Sequence, residues 1–228
     1  MISEIDLTNI HNARGRIYAF LSNVYLNQPD ESFYKLLSDI LPQLKEIASS
    51  NDDINNGVSL LEKFLNIKSS KSHTEAEEFE LNVQRKYASI MCLPNVAPQE
   101  ESFYTSKDHL LNQESHDEMV ALLSKYQLVL DKKYGLYYDH ISVEFKFMSL
   151  LAYLSAEKIS DSSLYTALLN EQLDFHKNHF DKWVNEFFNK ILFACTEDEL
   201  LFRSLVYIAR GYLYEDKNLL QQLLSDNQ

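Results

Sequence analysis

The amino-acid sequence predicts an all-α protein, and three observations support that fold class. Only four of the 228 residues are glycine and four are proline, whereas a β-sheet protein of this length needs many tight turns. Hydrophobic residues make up 45% of the chain, which is enough for a substantial core. Long stretches rich in Leu, Lys, Glu and Ala carry apolar residues at helical spacing, so we expect a bundle of about nine or ten helices.

Apolar residues recur at steps of three and four through the N-terminal half. The first predicted helix ends before Asn27, and Asp30 is the candidate N-cap of the second. Polar segments at 49–57 and 68–73 flank a short third helix. A fourth helix begins near Thr74 with an acidic first turn, which complements the positive end of the helix dipole.

A long irregular stretch follows the fourth helix. It runs from Cys92 to about Glu114 and contains Pro94 and Pro98. Stretches of this length are uncommon in helical proteins, and those that are ordered often carry function. A fifth helix comes after it.

The C-terminal half contains further helices beyond a turn. The segment 132–135 is interpreted as a hinge, so we expect an N-terminal subdomain of residues 1–134 and a C-terminal subdomain of residues 135–228. A sixth helix begins near residue 141. Another pattern from 169 to 191 predicts a long helix, and a separate short tail helix contains residues 219–223.

Charge and cysteine content limit the expected partners and location. The net charge is −13, and a surface this acidic repels a phosphate backbone, so we expect no nucleic acid partner. The N-terminus is acidic and does not resemble an export signal, and no apolar run approaches the length of a membrane span. Cys92 and Cys195 lie far apart, which indicates reduced thiols. We expect a cytoplasmic protein that does not insert into a membrane.

The sequence contains no motif that predicts an enzyme. None of the histidines has a glutamate three residues before it, which excludes the paired Glu-x-x-His motifs of a di-iron bundle. Gly-rich phosphate loops and GxSxG elbows are absent, and neither cysteine has a local activating signature. His176 and His179 are three residues apart but have no natural third metal ligand nearby. We therefore expect no catalytic residue, no cofactor and no metal.

Three ionisable residues stand at the start of the sixth predicted helix. Asp139 is placed to cap this helix by accepting hydrogen bonds from free backbone amides. Glu144 follows His140 by four residues, so the two side chains share a helix face and can pair. Such a pair can act in acid–base chemistry. With aromatic neighbours it can also form a wall for a peptide that carries arginines and an apolar segment.

Four short elements occur in a fixed order between residues 87 and 183. They are Tyr87-x-x-Ile90-Met91, Pro98-x-x-Glu101-Ser102-x-Tyr104, Asp139-His140 followed by Glu144-Phe145-x-Phe147-Met148-x-x-Leu151, and Phe175-x-x-x-His179-Phe180-x-x-Trp183. In this order they resemble the signature of the TorD/DmsD/NarJ family of chaperones. One departure is Tyr137-Tyr138, where family members often have Glu and Pro.

The resemblance implies a fold and a function. The fold would be all-helical, with two subdomains joined by a hinge near residues 134–139. The function would be that of a cytoplasmic chaperone for a molybdopterin-containing oxidoreductase, binding its twin-arginine signal peptide, its apo-form body, or both, until the cofactor is inserted and the enzyme is exported. The cofactor-insertion machinery is a further expected partner. Weak guanine-nucleotide binding has been proposed for some members, and nothing in this sequence supports it independently.

We expect the peptide-binding surface to combine carboxylates with aromatic and apolar side chains, which complement a basic and apolar leader. Its expected members are Tyr87, Met91, Glu101, Tyr104, Asp139, His140 and Glu144. The residues expected to support it structurally are Pro98, Ser102, Phe145, His179 and Trp183. Burial of the three ionisable residues inside the fold, away from any accessible cleft, would contradict this surface.

Several alternatives stay open at the level of the sequence. A small hydrolase or nucleotide-using enzyme could be built on Asp139, His140 and Glu144, and it would need a deep pocket and a strongly shifted pKa at His140. A purely structural helical adaptor would use only its acidic surface. The client could be a sulfoxide or amine-oxide reductase, a formate dehydrogenase or a nitrate-reductase relative. Both a monomer and a domain-swapped dimer are compatible with the pattern.

Overall fold

The α-helices account for most of the chain. A computed structural model describes residues 3–93 and 95–226, so Pro94 lies outside the described residues. Over these residues the helices are α1 (Glu4–Leu26), α2 (Glu31–Ile47), α3 (Asp52–Ser69), α4 (His73–Met91), α5 (Glu101–Thr105), α6 (Glu114–Lys125), α7 (Ile141–Glu157), α8 (Ser162–Phe175), α9 (Asp181–Ala194) and α10 (Leu200–Asp226). Short 3-10 helices lie at Ala48–Ser50 and Lys132–Tyr134, and a π-helical segment, His176–Phe180, joins α8 to α9. The predicted all-α fold class is confirmed.

Side-chain caps determine where two of the first helices begin. Asp30 caps α2 as predicted, because its carboxylate accepts a hydrogen bond from the Phe33 N–H at 2.8 Å. Asn51 caps α3 in the same way, so this helix begins at Asp52. The predicted polar break at 49–57 is therefore wrong for its second half. A polar run is compatible with helix when a capping side chain satisfies the first free amides.

The predicted separate tail helix is the end of α10. This helix continues to Asp226, and no glycine or proline interrupts it between residues 212 and 226. Leu220 and Leu223 on its last turns are buried against Tyr165 and Leu169 of α8. Among the described residues, none of the helices combines the length and the apolarity that crossing a lipid bilayer requires.

Contacts between Cα atoms divide the chain into two compact units. The first unit combines Met1–Ser22, Gln99–Val184 and Asp216–Gln228, and the second combines Asn23–Pro98 and Asn185–Glu215. Each unit is therefore assembled from separate segments of the chain. The predicted division between residues 134 and 135 stays a prediction.

A buried polar network connects α1, α8 and α10 within the first unit. The Arg14 Nε atom lies 2.6 Å from Asp216 Oδ1, and Arg14 also donates to Gln172 Oε1 at 2.7 Å. The Tyr18 hydroxyl donates to Asp216 at 2.7 Å, and His176 Nε2 lies 3.2 Å from the same carboxylate. Burial alone would raise the pKa of Asp216, but Arg14 and His176 hold it well below its usual range. The network fixes three helices that are far apart in sequence.

In the second unit, α3 and α10 approach each other at two glycines. A Cβ atom on Gly57 would lie 2.7 Å from Ile208 Cγ1 and 2.8 Å from the Ile208 backbone nitrogen. A Cβ atom on Gly211 would lie 2.9 Å from the Ile54 backbone nitrogen. These separations are shorter than van der Waals contact, so the crossing requires glycine at both positions.

The two cysteines also lie in the second unit, and neither forms a disulfide. Cys92 is exposed at the end of α4, whereas Cys195 is half-buried after α9. Burial raises the pKa of the Cys195 thiol to about 11. Cys195 is therefore protonated at neutral pH and unreactive towards electrophiles.

Candidate functional site

The loop before α5 and the start of α7 are joined by backbone hydrogen bonds in the first unit. The Glu101 N–H donates to the Asp139 carbonyl at 2.9 Å, and the Ile141 N–H donates to the Gln99 carbonyl at 2.8 Å. This pairing brings together two of the elements that the sequence analysis singled out. The side chains of the candidate site project from these two segments and from the π-helical segment.

Asp139 is fully buried and caps α5. Its Oδ2 atom accepts hydrogen bonds from the Ser102 N–H at 2.8 Å and from the Ser115 hydroxyl at 3.3 Å. The predicted role of Asp139 as the N-cap of the sixth helix is wrong, because His140 occupies that position in α7. Asp139 therefore holds together two segments that are separated by more than thirty residues.

His140 is a neutral capping residue. Its Nδ1 atom accepts a hydrogen bond from the Ser142 N–H at 3.2 Å and lies 2.7 Å from the Ser142 hydroxyl. Burial lowers the pKa of His140 to about 4, so the imidazole is uncharged at neutral pH. The structure thus pairs His140 with Ser142, where the sequence analysis expects Glu144.

Glu101, Glu144 and His179 form a buried group that we call the Glu–Glu–His cluster. One possible ligand atom from each residue lies within 4.8 Å of the other two. His179 Nδ1 lies 2.7 Å from Glu101 Oε2, and the Trp183 indole N–H donates to Glu144 Oε2 at 3.3 Å. The two glutamates come from α5 and α7, whereas His179 comes from the π-helical segment.

The two carboxyl groups of the Glu–Glu–His cluster repel each other when both are ionised. Burial, and then the adjacent Glu101 carboxyl, raise the pKa of Glu144 well above its usual range. The Oε1 atoms of Glu101 and Glu144 are buried without a hydrogen-bond donor among the described residues. Adjacent buried carboxylates are stable only when a proton or a cation lies between their oxygens.

An open cleft of about 510 Å³ lies next to this cluster in the first unit. We call it the α6–α8 cleft, because α6, α8 and the π-helical segment line it. Its lining combines the apolar side chains of Leu122 and Phe175 with the acidic side chains of Glu171 and Asp174. Lys125 also lines the cleft and forms an ion pair with Glu171, so Asp174 is the acidic side chain of the lining that has no such pair among the described residues. The cleft also reaches His179, which therefore belongs both to its lining and to the cluster.

The charged residues of the predicted peptide-binding surface are not exposed. Glu101, Asp139 and Glu144 have no accessible surface, and His140 retains 3%. The expectation that these side chains face solvent is wrong, although the α6–α8 cleft reaches the cluster through His179. That these residues contribute to peptide binding remains a prediction.

The other residues of the predicted surface lie in both units. Tyr104 is half-buried in the first unit, with its ring centroid 5.2 Å from that of Trp183. Tyr87 and Met91 belong to α4 in the second unit, where both are 7% exposed. Burial raises the pKa of Tyr87 to about 12. The residues expected to give structural support are all buried, namely Pro98, Ser102, Phe145, His179 and Trp183.

Sequence reasoning missed the acidic lining of the cleft and the π-helical segment. Glu171 and Asp174 occupy polar positions of an amphipathic helix, which look like an ordinary solvated face. The π-helical segment directs His176 towards Asp216 and His179 towards Glu101. A π-helical segment adds one residue to a helical turn, and the spacing of apolar residues is too irregular to reveal such an insertion. The sequence pattern therefore could not predict the π-helical segment.

The chain is thus an all-helical protein with a cleft whose lining contains Glu171 and Asp174. The sequence matches the family described as nitrate reductase delta subunit over residues 48–189. The chain belongs to this family, which is the TorD/NarJ family of the predicted resemblance. The membership confirms the predicted class, a chaperone for a molybdoenzyme.

Curated relatives match the chain along its whole length. Two proteins named "Chaperone protein TorD", from the Vibrio cholerae serotype O1 strains ATCC 39541 (Classical Ogawa 395, O395) and M66-2, are 23% identical over 233 residues. The match covers 99% of this chain and 99% of each relative. No solved structure matches the chain significantly.

Proposed function

We propose that this chain is a cytoplasmic chaperone that binds the twin-arginine signal peptide of a molybdopterin-containing oxidoreductase. It holds the apo-enzyme for cofactor insertion before export, contacts the insertion machinery as a second partner, and catalyses no reaction itself. The observation that carries the proposal is the match to proteins named as chaperones over 99% of both chains.

The chemistry of the α6–α8 cleft supports binding of such a leader. A twin-arginine leader has a cationic head followed by an apolar stretch. Glu171 already accepts hydrogen bonds from Lys125 at 2.8 Å and from the Tyr126 hydroxyl at 2.6 Å. Asp174 is exposed in the same cleft, so we assign it as the acceptor for an arginine guanidinium.

The apolar part of the leader would contact the half-buried Leu122, which lines the cleft together with the buried Phe175. Burial of this stretch supplies most of the affinity, because exposed ion pairs contribute little in water. The net charge of −13 speeds the encounter with a basic peptide and selects against acidic ones.

Fluorescence anisotropy with a labelled synthetic twin-arginine leader tests the proposal. We expect Asp174→Asn to weaken binding about threefold, because an exposed charge-assisted hydrogen bond contributes less than about 1 kcal/mol. Asp117→Asn is the matched control, since Asp117 is also an exposed aspartate (86% side-chain accessibility) of the first unit but does not line the cleft. The control variant should bind like the wild type.

If Asp174→Asn binds the leader as tightly as the wild type, the leader does not bind through Asp174 in the α6–α8 cleft. Failure of the wild type to bind the leader at all would contradict leader recognition itself. A further measurement compares the salt dependence of the affinity for the natural leader with that for a leader whose apolar stretch is replaced by serine. If binding depends only on salt and not on the apolar stretch, the chain is an acidic adaptor.

A further inference from the structure

We propose that the Glu–Glu–His cluster of the first unit binds a divalent transition-metal ion, and Zn²⁺ is the ion that its chemistry fits best. This proposal concerns Glu101, Glu144 and His179 and does not depend on leader binding. From the sequence we expect no metal, because His176 and His179 have no third ligand near them in the sequence. The structure supplies further candidate ligands from two distant helices.

The ligand set is suited to a transition metal. Two carboxylates and one imidazole are ligands for Zn²⁺, and three protein ligands with an open fourth position are typical of accessible zinc sites. Ligand atoms around a tetrahedral zinc ion lie about 3.4 Å apart, given bond lengths of roughly 2.0–2.2 Å. The three atoms in the cluster already lie within 4.8 Å of one another, so small side-chain rotations bring them to that spacing.

The unsatisfied oxygens of the glutamates give an independent reason to expect a cation. One oxygen of Glu101 faces His179 Nδ1, and one oxygen of Glu144 accepts from Trp183. Apart from the neighbouring carboxyl group, the second oxygen of each carboxylate has no hydrogen-bond partner among the described residues, although both side chains are fully buried. A dication bound by these two oxygens would satisfy both and stabilise the two carboxyl groups in their ionised form.

The surroundings of the cluster also fit a metal site. The Trp183 N–H fixes the orientation of the Glu144 carboxylate, as outer hydrogen-bond donors do around metal ligands. His179 lines the α6–α8 cleft, so one residue of the cluster lies in the cleft wall. His179 is also presented by a π-helical segment, and such segments occur frequently at functional sites.

A proton shared between Glu101 and Glu144 is the competing way to relieve the repulsion. In that case the cluster would be purely structural and would have no preference for zinc. The two cases differ in what Zn²⁺ does to the purified, metal-free protein. Trp183 is the single tryptophan of the chain and contacts Glu144, so its fluorescence reports on the cluster directly.

The test is a titration of the metal-free full chain with ZnCl₂, followed by calorimetry and by Trp183 emission, with MgCl₂ as the comparison ion. We expect about one Zn²⁺ per chain, a change in Trp183 emission that saturates with it, and no response to Mg²⁺. Glu144→Gln should weaken Zn²⁺ binding at least about tenfold, because it replaces a charged ligand by an amide.

Two further variants keep the test decisive. His179→Gln removes a different ligand and should also weaken binding, which covers the case that Glu144→Gln does not fold. Asp117→Asn removes an exposed carboxylate that belongs neither to the cluster nor to the cleft lining, and it should bind Zn²⁺ like the wild type. Zinc binding that is unchanged in the two cluster variants, or that leaves Trp183 emission constant, would overturn the proposal in favour of the shared proton.

Discussion

At the residue scale, the partners of Asp139 decide what its substitution does. Its carboxylate accepts from the buried Ser102 N–H and Ser115 hydroxyl, so Asp139→Ala leaves both without their acceptor. A buried polar group that loses its partner costs about 1–3 kcal/mol. We expect Asp139→Ala to lower the free energy of unfolding by about 2 kcal/mol, measured by urea denaturation followed by circular dichroism.

Asp139→Asn is the matched control for that measurement, because its amide oxygen can still accept from Ser102. It should lose less than about half as much stability as the alanine variant. Wild-type leader affinity in a folded Asp139→Ala protein would mean that Asp139 acts only in folding. Unchanged stability together with lost leader affinity would instead support the surface role that the sequence predicts for this residue.

The neutral imidazole of His140 makes stability depend on pH. Its pKa is about 4 in the folded chain and 6.5 without the fold. Below pH 6.5 the unfolded chain binds a proton that the folded chain excludes, so this contribution is complete above pH 6.5 and is lost as the pH falls towards about 4. His140→Asn keeps a capping side chain but removes the titration.

Urea unfolding at pH 7 and at pH 5 therefore distinguishes the two proteins. Wild-type protein should lose about 2 kcal/mol more than His140→Asn over this interval, because each pKa unit corresponds to about 1.4 kcal/mol. Comparison with the variant cancels the contributions of all other titrating groups. Parallel losses in the two proteins would mean that the imidazole is already accessible to protons in the fold.

At the scale of the elements, the crossing of α3 and α10 depends on Gly57 and Gly211. Alanine gains at most about 1 kcal/mol of helix propensity at such positions. The added Cβ would meet the Ile208 and Ile54 backbone nitrogens at 2.8 and 2.9 Å, and a backbone atom cannot rotate away. Overpacking costs about 1–3 kcal/mol, so we expect each variant to be less stable than the wild type in thermal unfolding.

Gly135→Ala is the control for the loss of a glycine where the new Cβ meets no neighbouring atom. Gly135 has a φ of +63°, and no atom lies within 4 Å of the position that a Cβ would occupy. Only backbone strain of roughly 1–2 kcal/mol therefore opposes alanine there. Crowding grows with side-chain size, so serine should cost more stability than alanine at Gly57 and Gly211, whereas the two should cost about the same at Gly135. If serine costs no more than alanine at the helix crossing, close helix contact is not the cause.

Helix periodicity located most elements because it depends on which face is apolar. It placed α2 and its Asp30 cap correctly, and it placed α7 near residue 141. It failed where stability comes from a side chain elsewhere, as in the first turns of α3, which the Asn51 cap stabilises. The Arg14–Asp216 pair joins residues 202 positions apart, so no local pattern could have indicated it.

The sequence found the region of the candidate site but not its chemistry. The matched elements contain Glu101, Glu144 and His179, which the structure brings together. Spacing along a helix specifies which side chains share a face. It does not specify whether that face meets solvent or another helix, and this is why burial of the cluster was not predicted.

At the scale of the whole molecule, the amino-acid composition predicted the fold class, and the order of the four motifs predicted the family. The scarcity of glycine and proline predicted helices, which the structure confirms. The four elements lie between residues 87 and 183, and the family match at 48–189 includes all of that range. Such broad features survive at 23% identity because they depend on many positions at once.

The two cysteines differ in exposure and in reactivity, so the native chain can be labelled at one of them for spectroscopy. Cys92 is exposed, whereas the half-buried Cys195 has a pKa of about 11 and presents almost no thiolate at neutral pH. A maleimide dye should therefore attach at a single position without any engineered substitution. Together with the native indole of Trp183, that gives each of the two compact units its own optical reporter.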